Sequence, residues 1–184
     1  MEPIKEQIEP IKVVVRYVRG SVVKGLTHDF FSNKHRFHVS PVEGPADKPV
    51  EVIINDLKAV FVVRDFTGDP GYVDRKKYYK DDTPYGIPLE VTFGDGEIML
   101  GSSMGFDPKR NGFFVAPADP MSNNLRVFVV TSAVKRIRQL HVKSGLFFEV
   151  PIQRRTRRVD YGAACHLGGP LSAMEIKRSL TSLL

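Results

Sequence analysis

Tryptophan is absent from this chain of 184 residues, and Cys165 is its one cysteine. A single thiol excludes an intramolecular disulfide and any thiolate-rich metal site, and it reads as a small buried or half-buried hydrophobe. Long apolar runs are missing as well, with no window near the roughly 18 consecutive residues that a membrane-spanning helix needs. The stretch from Met1 to Lys12 carries Glu2, Glu6 and Glu9 and lacks the basic-then-apolar order of a secretory signal, so the expected location is the cytoplasm, with no membrane association. His28, His35 and His38 cluster in sequence, but no carboxylate or thiolate stands beside them in a ligand spacing, and no metal or other cofactor is expected. Gly94-Asp95-Gly96 and Gly101 follow hairpin geometry with no helix after them, so they do not form a phosphate-cradling loop. Ser102 and Ser103 lack the context of a nucleophile elbow. With no convergent set of reactive groups, the chain is expected to be a binding protein rather than an enzyme.

What is present is an ordinary globular composition, 42% hydrophobic and 26% charged, enough to bury a real core. The 27 Lys and Arg against 21 Asp and Glu leave +6, a surplus that permits association with polyanions. It is concentrated late in the chain, in Lys135, Arg136, Arg138, Lys143 and the run Arg154-Arg155-Thr156-Arg157-Arg158.

Compared with itself at an offset of 76 residues, the sequence repeats. Val15 falls on Val91, Gly20 on Gly96, Gly25 on Gly101, Phe30 on Phe106, Phe37 on Phe113, Val39 on Val115 and Pro41 on Pro117. After a one-residue slip Lys58 meets Lys135 and Val60 meets Ile137. Each copy reads as short strands: Val13, Val15, Tyr17 and Leu89, Val91, Phe93 alternate at period two, and glycines mark a tight turn and then a bend inside the second strand. The sequence therefore predicts a mainly β protein of two tandem small Sm-like or SH3-like β-barrels, with a C-terminal extension ending in a short helix. The boundaries are an N-terminal tail at 1–11, barrel 1 at 12–63, a linker at 64–86, barrel 2 at 87–141, and the basic extension and helix at 142–184. The four aromatic residues Phe30, Phe37, Phe106 and Phe113 are expected in the cores.

The linker interleaves Tyr72, Tyr78, Tyr79 and Tyr85 with Arg75, Lys76, Lys77 and Lys80, which suits either stacking on single-stranded nucleic acid or packing onto the barrels. At the C-terminus Ser172 and Glu175 have capping-box spacing, ahead of Ala173, Ile176, Leu180 and Leu183 on one helical side.

Gly101, Phe106, Asp107 and Asn111 have the order and spacing of the first motif of the Sm and Sm-like RNA-binding barrels, which the second unit resembles. The resemblance implies that Asn111 contacts a base edge and that Asp107 holds the loop. The first unit has Phe31 and His35 at those positions, and the family's second motif, an Arg-Gly pair, is replaced by Thr131-Ser132-Ala133 in the second unit. Arg154 and Arg158 match the RxxxR motif of the cyclic-dinucleotide-binding PilZ domains, without that family's downstream partner motif. Segments such as 56–61 and 117–124 resemble an uncharacterised bacterial family over roughly residues 12 to 140, which brings no activity with it.

Two kinds of partner follow. Single-stranded RNA is favoured, with Asp107 and Asn111 at a base pocket and Lys109, Arg110, Arg136, Arg138, Arg154, Arg155, Arg157 and Arg158 on phosphates. The alternative is an adaptor that offers a barrel edge or the terminal helix to a protein partner, and cyclic-dinucleotide binding through Arg154 and Arg158 is a minor third. A monomer or dimer is expected rather than a ring.

Overall fold

The computed structural model describes residues 9–43, 48–69, 71–79 and 82–141, together with the backbone of one further strand at 146–150. The first repeat forms β1 (Ile11–Tyr17), β2 (Val22–Thr27), β3 (Arg36–Pro41), β4 (Val50–Ile53) and β5 (Leu57–Val63). The second forms β6 (Ile87–Phe93), β7 (Ile98–Ser103), β8 (Gly112–Pro117), β9 (Asn124–Val130) and β10 (Val134–His141), and β11 (Leu146–Val150) follows. Helical structure among the described residues is limited to two 3₁₀ turns, Ile54–Asp56 and Thr131–Ala133, each joining the fourth strand of a repeat to its fifth.

The two repeats use one pairing scheme. The antiparallel succession β11-β10-β6-β7-β8-β9-β5-β1-β2-β3-β4 contains the same order of fifth, first, second, third and fourth strand twice. The agreement extends to single hydrogen bonds. Gly20 N–H donates to Tyr17 O at 3.0 Å and Gly96 N–H to Phe93 O at 3.1 Å, in turns where both glycines hold positive φ. Ile54 N–H donates to His35 O at 3.0 Å, and Thr131 N–H donates to Asn111 O at 2.9 Å. Gly25 and Gly101 occupy the same bend for the same reason. A Cβ at either would overlap backbone of the third strand, at Ser40 O or Ala116 O, and a methyl of Val39 or Val115. The rings repeat too, with Phe30 to Phe37 and Phe106 to Phe113 both at 4.7 Å between centroids.

Two separate barrels joined by a linker were expected, whereas the described strands run as one open antiparallel sheet through both repeats. β5 of the first repeat pairs with β9 of the second, Ala59 to Val63 against Val129 to Asn124. Successive side chains on a strand face opposite ways, so this pair becomes a wall between two cores. Val60 and Val62 from β5, with Phe128 and Val130 from β9, join Val13, Val15, Phe37 and Val39 in one core. Ala59 from β5, with Val127 and Val129 from β9, joins Leu89, Val91, Phe93, Phe113 and Val115 in the other. Between the cores both faces of the wall are covered, apart from half-buried Phe61, which is why Leu57 to Val63 and Val127 to Val130 are apolar almost without interruption, whereas Leu125 and Arg126 at the far end of β9 are exposed. Phe37 and Phe113 are buried as expected, while Phe30 and Phe106 are partly buried and pack against the two cores.

The predicted terminal helix at 172–183, Cys165 and the 154–158 arginine run lie outside the described residues. Among the described residues no helix is long and apolar enough to cross a membrane.

Candidate nucleic-acid interface

Joining the repeats through β5 and β9 brings their turn ends together at one end of the molecule. A cleft of about 1160 Å³ opens there. Tyr17, Val18, Arg19, Ser21, Asn55 and Asp56 line it from the first repeat, and the loop Pro108 to Asn111 with the corner Thr131 to Lys135 lines it from the second. Arg19, Lys109, Arg110 and Lys135 are all exposed, and Asp56 is the one carboxylate of that lining. The cations are clustered there: the described residues between 9 and 141 hold 18 Lys and Arg against 14 Asp and Glu, and outside the cleft lining the two are nearly balanced, 14 against 13. Burial and the charge of Asp56 push the Tyr17 phenol above its ordinary pKa, so it stays a neutral donor at physiological pH.

Local chemistry fixes this end of the fold. Asp107 accepts the Lys109 backbone N–H at 2.9 Å through its carboxylate, and its own carbonyl accepts the Arg110 N–H at 3.1 Å. The loop is thus closed by a side-chain turn that leaves Lys109 and Arg110 pointing outward. The segment Thr131-Ser132-Ala133, which stands where an Arg-Gly pair was sought, adjoins Asn111 through the Thr131 N–H bond.

Lys58 and Lys135 are equivalent residues with different fates. Each is the extra residue of a β-bulge: the register runs from Arg16 opposite Ala59 to Tyr17 opposite Leu57, and from Val134 opposite Phe93 to Arg136 opposite Thr92. The Lys58 side chain, 6% exposed, reaches across to the turn of the second repeat and is held by Asp95 and Glu97 over the Phe93 ring. Arg16 adds a second ion pair to Glu97 at 3.1 Å. Hydrogen bonding to the Lys58 ammonium holds the Asp95 carboxyl below its usual range. At the first repeat's equivalent turn, Asp95 is replaced by Arg19 and Glu97 by Ser21. Lys135 makes no ion pair among the described residues and faces the cleft instead.

Of the residues expected on a nucleic acid, Lys109, Arg110 and Asn111 come together in the cleft, and Asp107 braces their loop. Arg138 is placed otherwise: its guanidinium grips Glu90, itself buried, with Nε 2.8 Å from Oε1 and a second contact through the other nitrogen. Arg136 is exposed on β10 and absent from the cleft lining. Arg154, Arg155, Arg157 and Arg158 lie outside the described residues. Sequence reasoning missed Arg19, Lys135 and Tyr17 as cleft residues. The Lys58 to Lys135 match was a signal for Lys135 alone, since a bulge re-aims the side chain it carries.

The linker tyrosines do not join this cleft. Tyr72 O–H donates to Asp119 at 2.6 Å, and the Arg75 backbone N–H donates to the same oxygen at 2.9 Å. Arg75 also reaches the Ala118 carbonyl and pairs with Asp82 at 3.1 Å. The segment is a strap on the second repeat, anchored on a buried aspartate. The histidines are dispersed as well: His38 pairs with Asp29 at 2.8 Å, and His35 meets Asn111 at 3.2 Å.

Residues 9–141 match the family of unknown function (DUF6982), and the chain belongs to that family. The match carries neither an Sm nor a PilZ assignment. No curated protein and no solved structure matches the chain.

Proposed function

We propose that this member of a family of unknown function is a non-catalytic protein that binds single-stranded nucleic acid, RNA in particular, along the cleft between its two repeats. One observation carries the reading: four exposed cations from both repeats, one of them 3.7 Å from Asp107, converge on a concave seam whose lining has a single carboxylate. Such a seam follows a phosphate backbone, and counterion release makes the attraction independent of sequence. Asn111, at the cleft wall, supplies an amide with both donor and acceptor for a base edge. The Sm-like spacing of Gly101, Asp107 and Asn111 and the basic run at 154–158 support the same reading.

Fluorescence anisotropy of a short labelled RNA against salt tests it. Replacing Arg19, Lys109, Arg110 and Lys135 by alanine is expected to flatten the slope of log K against log salt by roughly 0.7 for each phosphate no longer neutralised. Arg138→Gln is expected to leave that slope unchanged, because its guanidinium is engaged by Glu90. Failure of the wild type to bind any single strand at low salt removes the proposal.

An adaptor role has one specific observation in its favour. Among the described strands β4 pairs with β3 alone, whereas β9, its counterpart, is paired on both sides. A partner strand added there would protect the amides of Val50–Ile53 from hydrogen exchange.

A further inference from the structure

His35 and Asn111 stand at the same position of the two repeats, 76 residues apart, and the fold brings them into contact: the Asn111 amide lies 3.2 Å from His35 Nδ1. The turn that precedes His35 begins at Phe31. Phe31 O accepts the Lys34 N–H at 3.1 Å, the same bond that Asp107 O makes with the Arg110 N–H at 3.1 Å. The Phe31 ring is therefore not needed to close the turn. Nor is it a core anchor, because its neighbour Phe30 fills that place against Phe37 and Phe128, at 4.7 and 5.5 Å. Phe31 remains 45% exposed even with the Lys34 ammonium 4.6 Å from its ring centre.

An exposed ring beside a cation, on the turn that leads into His35, whose imidazole meets the Asn111 amide of the cleft wall, has the parts of a base-recognition site. The ring offers a π-face to any base. The imidazole and the amide offer donors and acceptors to a base edge. We propose that Phe31, with the His35–Asn111 pair beside it, forms a nucleobase subsite at the seam, where one unstacked base of a bound single strand leaves the cleft and stacks. This deepens the nucleic-acid reading and rests on it. The subsite is composite: the stacking face belongs to the first repeat and the amide to the second, so neither repeat alone supplies it.

The absence of tryptophan provides the test. In the full-length Phe31→Trp variant the new indole is the chain's only one, and a base stacked on it quenches its fluorescence. Titration with single-stranded RNA is expected to quench it, while an abasic strand of equal length leaves it bright. Phe31→Ala is expected to weaken binding of the normal strand roughly 5- to 140-fold, the equivalent of about 1–3 kcal/mol at about 1.4 kcal/mol per tenfold. The abasic strand, held by phosphates alone, is expected to bind wild type and Phe31→Ala equally. If labelled RNA binds both proteins alike and the indole stays bright, the subsite is refuted while the cleft reading stands. If no strand binds the wild type at low salt, the nucleic-acid reading falls and takes the subsite with it.

Discussion

The ionic link between the repeats makes a prediction that depends on which side is cut. Lys58 has a side chain 6% exposed, whereas those of its partners Asp95 and Glu97 are 56% and 39% exposed. Lys58→Met removes the charge but keeps the apolar stem over Phe93, and the two carboxylates left behind can hydrate. The cost is that of an exposed pair with some hydrogen bonding forfeited, about 1 kcal/mol. Replacing both Asp95 and Glu97 by alanine leaves the ammonium with an aromatic ring and no acceptor in a place nearly closed to water. Removing one side of a buried pair costs about 3–5 kcal/mol, to which the Arg16 pair adds little. Urea denaturation reads the difference. With a slope of about 2 kcal/mol per molar, the midpoint is expected to fall by about 0.5 M in the first variant and by about 1.5–2.5 M in the second. Combining all three substitutions is expected to restore most of the loss, since no buried charge then lacks a partner. Acid probes the same link. Asp95 has a folded pKa below its unfolded value near 3.9, so its contribution is present above that value and disappears as the pH falls through the lower one. Equal midpoints for the two variants would mean that the ammonium reaches water by another path, and would refute the reasoning.

Two further outcomes follow from the fold. Gly25→Ala and Gly101→Ala are each expected to cost about 2–3 kcal/mol, because in both the new methyl meets third-strand backbone as well as a packed valine methyl. Thermal unfolding with one variant near wild type and the other not would contradict the bond-for-bond repeat. The strap titrates at both ends of the pH scale. The Tyr72 hydroxyl and the Arg75 N–H hold Asp119 below its usual pKa, while the hydrogen bond to Asp119 pushes Tyr72 up to about 12. The aspartate's contribution is present above the ordinary carboxylate range and lost as pH falls through its depressed value. The tyrosine's is present below about 10 and lost as pH rises through about 12. Phenolate absorbance is expected to show two tyrosines titrating near 12, Tyr72 and the burial-shifted Tyr78, of which Tyr72 moves to lower pH in Asp119→Asn, and hydrogen exchange is expected to quicken at 71–75 while the strands stay protected.

The resemblance to Sm-like barrels drew attention to a loop that lines the cleft, because the spacing of Gly101, Asp107 and Asn111 is a local property of a bent strand and its turn. It could not place Arg138, whose partner Glu90 lies 48 residues away on a neighbouring strand. Neither could it place Tyr72, which reads as part of a stacking surface in composition and is held to the second repeat by the buried Asp119 carboxylate.

Sequence by itself determined what backbone geometry and local turns demand: ten short strands in two like sets, glycines where a turn needs positive φ or a bend leaves no space for a Cβ, and aromatic residues at matching depths. These features recur at a fixed offset because each repeat solves the same steric problem. Tertiary structure alone decided how the two solutions meet. The pairing of β5 with β9 spans sequence separations of more than sixty residues and made one wall serve two cores, fixing which bulge lysine is buried and which faces the cleft. The uninterrupted apolar runs at 57–63 and 127–130 carried the trace of that wall. A strand hidden on both faces states that it is covered but does not name its neighbour, since hydrophobic burial has magnitude without direction.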